Sequence, residues 1–213
     1  MVKLYFLGGE DVIKKDSKEI NKKAFCDAGG APAVLIFPWT AKSVAKADKY
    51  KEILKEYFKE LGASDIEFAE LSDSLDEIEK KINRSDLIYL PGGDTKILVR
   101  RLKNADADKL LQKSGKVIIG NSAGALALCK ECILTKGRTH HETVIFSGLG
   151  LVDFSVDVHY ESSKDRELKR LSMNRKIYAI PERSALVYNN GEIYAIGDIC
   201  LFHKGEKQSI KQA

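Results

Sequence analysis

Residues 116–128, Lys-Val-Ile-Ile-Gly-Asn-Ser-Ala-Gly-Ala-Leu-Ala-Leu, constrain this chain more than any other stretch. Val117, Ile118 and Ile119 form a short continuous apolar run, the pattern of a strand buried on both faces. Gly120-Asn121-Ser122-Ala123-Gly124 then fits G-x-S-x-G, and an Ala/Leu segment of good helix propensity follows. Strand, tight turn and helix in that order form the setting of a nucleophile elbow, which holds its serine outward from the sheet. Such a serine also lies beside the first N–H groups of a helix, which favour developing negative charge. The competing reading of these five residues is a turn whose serine only caps the helix.

A strand buried on both faces needs helices above and below it, and the rest of the chain supplies them. Residues 2–7, 33–37, 66–71 and 86–90 predict four further strands. Between them come a polar, Lys-rich helical segment over 16–28 and an amphipathic helix marked by Tyr50, Ile53, Leu54, Tyr57, Phe58 and Leu61. Leu75, Ile78 and Ile82 predict a third helix, capped by Asp73 or Ser74, and Ile97, Leu98 and Leu102 begin a fourth. Alternating strands and helices imply right-handed crossovers and a mainly parallel sheet covered on both faces. The expected class is α/β, a three-layer α/β/α sandwich of flavodoxin-like type. No Pro- or Ser-rich linker divides the 213 residues, so a single domain over 1–213 is expected.

Composition narrows the function. The 35 basic and 31 acidic residues leave a net charge of +4 spread along the chain, which argues against nucleic-acid and membrane partners. No apolar run approaches the roughly 18–20 residues that span a bilayer, and the opening residues are too short for a signal-peptide core. Four scattered cysteines do not make a secreted scaffold. Cys129-Lys130-Glu131-Cys132 spells C-x-x-C, but no second pair completes a zinc set, so buried packing is expected. These features predict a protein of the reducing cytoplasm.

Three of the strands end in glycine: Gly8-Gly9, Gly92-Gly93 and Gly120. Ligands of open α/β sheets bind outside these carboxyl ends, where glycine lets backbone approach closely. Gly8-Gly9 reads equally well as a plain turn. The Gly92-Gly93 turn can aim an N–H at a carbonyl attacked by Ser122, with the N–H of Ala123 as second donor. Neither phosphate-loop pattern is present. Among four histidines, His140 and His141 lie with Glu142 in a polar loop, and His203 falls on an expected edge strand. In Phe154-Ser155-Val156-Asp157-Val158-His159-Tyr160, His159 shares a polar strand face with Asp157 and is the best candidate base. Its orienting acid is Glu182, which ends the apolar run 177–180, or Asp157; residues two apart point in parallel, which favours Glu182.

Gly92-Gly93-Asp94-Thr95, Gly120-Asn121-Ser122-Ala123-Gly124-Ala125, His159-Tyr160 and Ile180-Pro181-Glu182, in that order, resemble the serine peptidase E family. That family comprises alpha-aspartyl dipeptidases and cyanophycinases on a class I glutamine amidotransferase-like fold. The resemblance implies Ser122 as nucleophile, His159 as base and Glu182 as the acid that orients it. It further implies Gly93 and Ala123 as oxyanion donors, and Gly92, Asp94 and Arg166 at the substrate. Asn121 stands where the family tends to have tryptophan, and Asp94 where it has asparagine. A carboxylate at 94 disfavours an acidic substrate side chain unless a cation offsets it. Class I amidotransferases carry cysteine at the elbow, so Ser122 argues against amide transfer.

The reading reached is a serine-type dipeptidase acting on small peptides without metal or cofactor; whether it forms a homodimer is left open. The alternative is an amidotransferase-like module that binds a ligand without turnover. Peptide hydrolysis is expected to be insensitive to chelators. Loss of turnover in EDTA, restored by added metal, would reopen the His140-His141-Glu142 cluster.

Overall fold

In the computed structural model, which describes residues 2–136 and 141–210, every apolar run named above is a strand. The first half of the chain runs β1 (Lys3–Leu7), α1 (Lys18–Asp27), β2 (Ala33–Ile36), α2 (Val44–Leu61), β3 (Asp65–Phe68), α3 (Leu75–Arg84), β4 (Leu87–Leu90) and α4 (Thr95–Asn104). Then follow α5 (Ala107–Lys113), β5 (Val117–Asn121), α6 (Ala123–Leu128), β6 (Glu131–Leu134) and β7 (Val144–Ser147). The chain continues with β8 (Ser155–Val158), α7 (Asp165–Leu171), β9 (Ile177–Ile180), β10 (Ala185–Asn189), β11 (Glu192–Ile196), β12 (Cys200–His203) and β13 (Glu206–Ser209).

The main sheet has the order β11-β10-β1-β5-β4-β2-β3. Its five strands from β1 to β3 are parallel, and β10 and β11 add an antiparallel edge. Because side chains alternate along a strand, each central strand feeds two cores. Tyr5, Leu7, Ile36, Tyr89 and Ile119 meet Ile20 and Phe25 of α1 and Leu54 and Phe58 of α2 on one face. Leu4, Phe6, Ile88, Leu90 and Ile118 meet Ile78, Leu98, Leu111 and Ala125 on the other. This is the layered α/β sandwich that the apolar pattern predicts.

Local chemistry sets the element ends. Ser74 caps α3 in a capping box: its side chain accepts from the N–H of Glu77, whose carboxylate accepts from the N–H of Ser74. Asp73 instead pairs with Lys81 at 2.6 Å. The third strand stops at Phe68, short of the expected residue 71, because the N–H of Glu70 turns to the Asp73 carboxylate and Leu71 is left exposed. Cys129 and Cys132 are buried without a disulfide, and their thiols lie against the carbonyls of Ala125 and Leu126. Burial pushes both thiols up, that of Cys132 to about 12.

A second sheet, ordered β13-β12-β9-β8, is the feature that the strand–helix alternation did not foretell. Parallel strands β8 and β9 are joined through α7, and Val156, Tyr178 and Ile180 pack into the core that Phe6 enters. Phe154 bridges the two sheets, its ring 5.5 Å from Phe6 and 4.8 Å from Tyr178. His203, expected on an edge strand, lies in β12 between β9 and β13. Among the described residues no helix is long and apolar enough to cross a membrane.

The elbow helix is pressed directly onto β4. A Cβ added at Gly124 would lie 2.0 Å from the carbonyl oxygen of Leu90, a backbone atom that cannot swing aside. Gly124→Ala is therefore expected to cost about 1–3 kcal/mol or more through overpacking, measured by equilibrium denaturation.

Candidate active site

The backbone at the end of β1 gathers every element of the site. The N–H of Ser122 donates to the carbonyl of Leu7 at 3.0 Å, and the N–H of His159 donates to the carbonyl of Gly8 at 2.7 Å. The N–H of Arg183 donates to the carbonyl of Gly9, and that of Gly8 to the carbonyl of Ser184, each at 3.0 Å. Three loops thus converge on Leu7-Gly8-Gly9: the elbow, the end of β8 and the end of β9. Gly8 has no room for a side chain, and Gly9 has room only if the imidazole turns aside. A Cβ on Gly8 would stand 2.1 Å from the carbonyl oxygen of Pro181, and one on Gly9 would stand 2.5 Å from His159 Cε1.

Ser122 joins β5 to α6 at φ 49° and ψ −102°, a conformation that a side-chain-bearing residue rarely adopts. Its Oγ lies 2.7 Å from Nε2 of His159. His159 has itself left β8, with φ 49°, and its Nδ1 lies 3.1 Å from Oε1 of Glu182. The imidazole and the Glu182 carboxylate are both largely exposed, 48% and 63% respectively.

The expected pairing of His159 and Asp157 on one polar strand face is corrected by the backbone, because the positive φ at 159 swings the imidazole out of the strand's alternation. Asp157 is buried and accepts hydrogen bonds from Thr135 Oγ1 at 2.7 Å and from Lys164 Nζ at 3.0 Å. Burial drives its carboxyl above the usual range, against the opposing effects of Lys164 and Thr135.

The Gly92-Gly93 turn borders the nucleophile: a Cβ on Gly92 would come within 3.6 Å of Ser122 Cβ, and one on Gly93 would meet Thr40. Ala123 opens α6 and is buried. Asp94 caps α4, accepting from the N–H of Ile97 at 3.1 Å, and Lys42 lies 3.7 Å from its other oxygen. Arg166 is exposed on α7, while His141 and Glu142 are exposed outside the site. His140 lies outside the described residues.

One carboxylate just past the end of β1 escaped the sequence reading. Glu10, next after the glycine pair, accepts hydrogen bonds from Tyr57 Oη, from Asn21 Nδ2 at 2.6 Å and from Tyr89 Oη at 3.3 Å. Burial drives its carboxyl up to about 7. Its position after Gly8-Gly9 was the available signal; its partners come from α1, α2 and β4.

Residues 4–196 match the model of peptidase family S51. The chain belongs to that family. The S51 chain is 31% identical over 166 residues to an uncharacterised peptidase of Listeria monocytogenes, covering 72% of this chain and 81% of the relative. It is 27% identical to the peptidase E of a Nostoc species, over 75% of this chain and 71% of that one. A Listeria monocytogenes crystal structure described as peptidase E has TM-score 0.70 and 28% identity, over 92% of this chain and 98% of its own. A peptidase from an acI-B1 actinobacterium has TM-score 0.79 over 100% of this chain and 95% of its own, and at 20% identity that likeness is one of fold. Membership of S51 makes the protein a hydrolase of the serine peptidase class.

The close fit of Gly9 against the imidazole yields a prediction. Gly9→Ala is expected to leave the melting temperature nearly unchanged, because the ring can turn aside, while kcat falls about 10²-fold through lost alignment. Steady-state kinetics beside thermal unfolding checks both halves.

Proposed function

We propose that this S51 peptidase cleaves small peptides, as a dipeptidase, through an acyl-enzyme on Ser122. The observation that carries the reading is the continuous line from Ser122 Oγ to His159 Nε2, at 2.7 Å, and from His159 Nδ1 to Glu182, at 3.1 Å. As Oγ attacks the scissile carbonyl, its proton passes to Nε2, and the imidazolium then protonates the departing amine. Water, deprotonated by the same nitrogen, attacks the ester and releases the acid, restoring the Ser122 hydroxyl. Glu182 accepts from Nδ1–H throughout, which keeps Nε2 free to take the proton and stabilises the cation. The N–H groups of Gly93 and Ala123 are the proposed oxyanion donors.

The substrate class follows from the rim. Lys42 beside Asp94 offsets the carboxylate at the mouth of the crevice, so an acidic side chain is not repelled outright. Arg166, exposed on the helix after His159, can pair with a substrate carboxylate. The name peptidase E of the Nostoc relative supports the dipeptidase assignment. Free cysteines, two of them buried, fit a reducing cytoplasm.

Ser122→Ala is expected to lower kcat by about 10³–10⁶ while the fold is kept. Glu182→Gln should lower it roughly 10³-fold with little change in KM, whereas Asp157→Asn should cost far less. A dipeptide-library assay on variants of matched melting temperature measures all three. A crippled Asp157→Asn beside a near-normal Glu182→Gln would overturn the triad. A fluorophosphonate should label Ser122 covalently, and failure to do so would return the crevice to a ligand-binding role.

A further inference from the structure

We propose that Glu10 is a positioning residue of this peptidase, acting through Tyr89 and Asn121 on the elbow and on the Gly92-Gly93 turn. The proposal rests on the serine-peptidase reading above. A hydrogen-bonded chain leads from the acid to the site. Asn121 Nδ2 donates to Tyr89 Oη at 3.3 Å, and that hydroxyl donates to Glu10 Oε2 at 3.3 Å. Asn121 immediately precedes the nucleophile, and its Nδ2 packs 3.6 Å from the point where a Cβ on Gly92 would stand. The chain thus ends between the two segments proposed to hold the oxyanion.

The amide at its end depends on this chain alone. Asn121 is buried, and its Oδ1 has no hydrogen-bond partner, as has the Oδ1 of Asn21 on the other side of the acid. Each amide is therefore oriented by donation toward the acid or its tyrosines; Asn21 Nδ2 donates both to Glu10 and to Tyr57 Oη.

Charge makes the arrangement conditional. The groups facing Glu10 are Asn21 from α1, Tyr50 and Tyr57 from α2, and Tyr89 from β4, with Asp16 from the intervening loop. Burial is the largest influence and raises the carboxyl to about 7, with Asp16 adding to the rise and the hydrogen bonds opposing it. Ionised, Glu10 draws all its donors inward and Asn121 is held. Protonated, it becomes a donor itself; the Tyr89 hydroxyl can turn toward Asn121, and the amide must reverse to accept it. The sign for stability follows. The folded chain keeps a proton that the unfolded one has lost, so this group's contribution is fully present below about pH 4.5 and drains away as pH rises to about 7.

The test is the pH dependence of kcat for the full-length wild type, Glu10→Gln, Tyr89→Phe and the double variant. In the wild type, protonation of Glu10 near pH 7 should take about ten- to a hundredfold off kcat, beyond whatever acid loss the Glu10→Gln variant shows. Glu10→Gln should lose about ten- to a hundredfold in kcat with KM nearly constant, and the extra acid loss should be absent from its profile. Tyr89→Phe cuts the chain at its middle while the carboxylate keeps its hydrogen bonds from Tyr57 and Asn21; it should match that loss, and the double variant should be no worse than either single one. Tyr89→Phe also keeps the test alive if Glu10→Gln does not fold. Losses that multiply in the double variant, an acid limb identical in the wild type and Glu10→Gln, or normal kcat in both single variants would overturn the proposal. If Ser122→Ala is inactive while the Glu10 and Tyr89 variants are normal, this inference alone fails. If Ser122→Ala is active, the serine mechanism beneath it fails.

Discussion

Backbone hydrogen bonds at the end of β1 hold this site together, and most of its other features follow from them. Ser122, His159 and the loop carrying Glu182 each tie a main-chain N–H to a carbonyl in Leu7-Gly8-Gly9. The first continues the pairing of β1 with β5, and the other two tie the ends of β8 and β9, in the second sheet, to the end of β1. They leave no room for a side chain at Gly8, where the carbonyls of Ile180 and Pro181 stand, and they set Gly9 directly against the ring of His159. A hydrogen bond of this kind adds only about 1 kcal/mol net. Its greater effect is on position, since each ties a reacting group to one point.

That arrangement explains how so exposed a pair as His159 and Glu182 can be well aligned. An ion pair open to solvent contributes roughly 0–1 kcal/mol and cannot by itself fix an imidazole. Here the ring is fixed from behind, by the His159 N–H on Gly8 and by the close approach of Gly9. Asp157 shows the opposite design. It is buried and bound to Lys164 and Thr135, where it braces β8 and has no contact with the ring.

The parts of the fold legible in the sequence were those governed by local pattern. Continuous apolar runs announced the parallel strands, and three- and four-residue steps announced α2 and α3. The elbow was legible because G-x-S-x-G encodes a backbone shape as well as a residue type. The second sheet was hidden because its strands have only four residues each and β9, which joins them, pairs with β8 and β12 about twenty residues away on either side. His159 illustrates the limit well. Alternation placed it on a face with Asp157, whereas its left-handed φ, imposed by the bond to Gly8, turns it toward Ser122. Glu10 was invisible for a related reason, since its tyrosines lie 47 and 79 residues away.

The nucleophile belongs to the large sheet, while base and acid belong to the small one. The two halves therefore rest on foundations of different strength. Ser122 follows a central strand buried on both faces, whereas β8 and β9 are held by α7, the Phe154 bridge and the β12–β13 hairpin, whose outer strand is fully exposed. Fluctuations that open the hairpin need not disturb the elbow. Amide exchange along this chain should thus follow two clocks, slow through β5 and faster through β12 and β13. Catalytic competence, which needs both sheets at once, would then keep the time of the faster one.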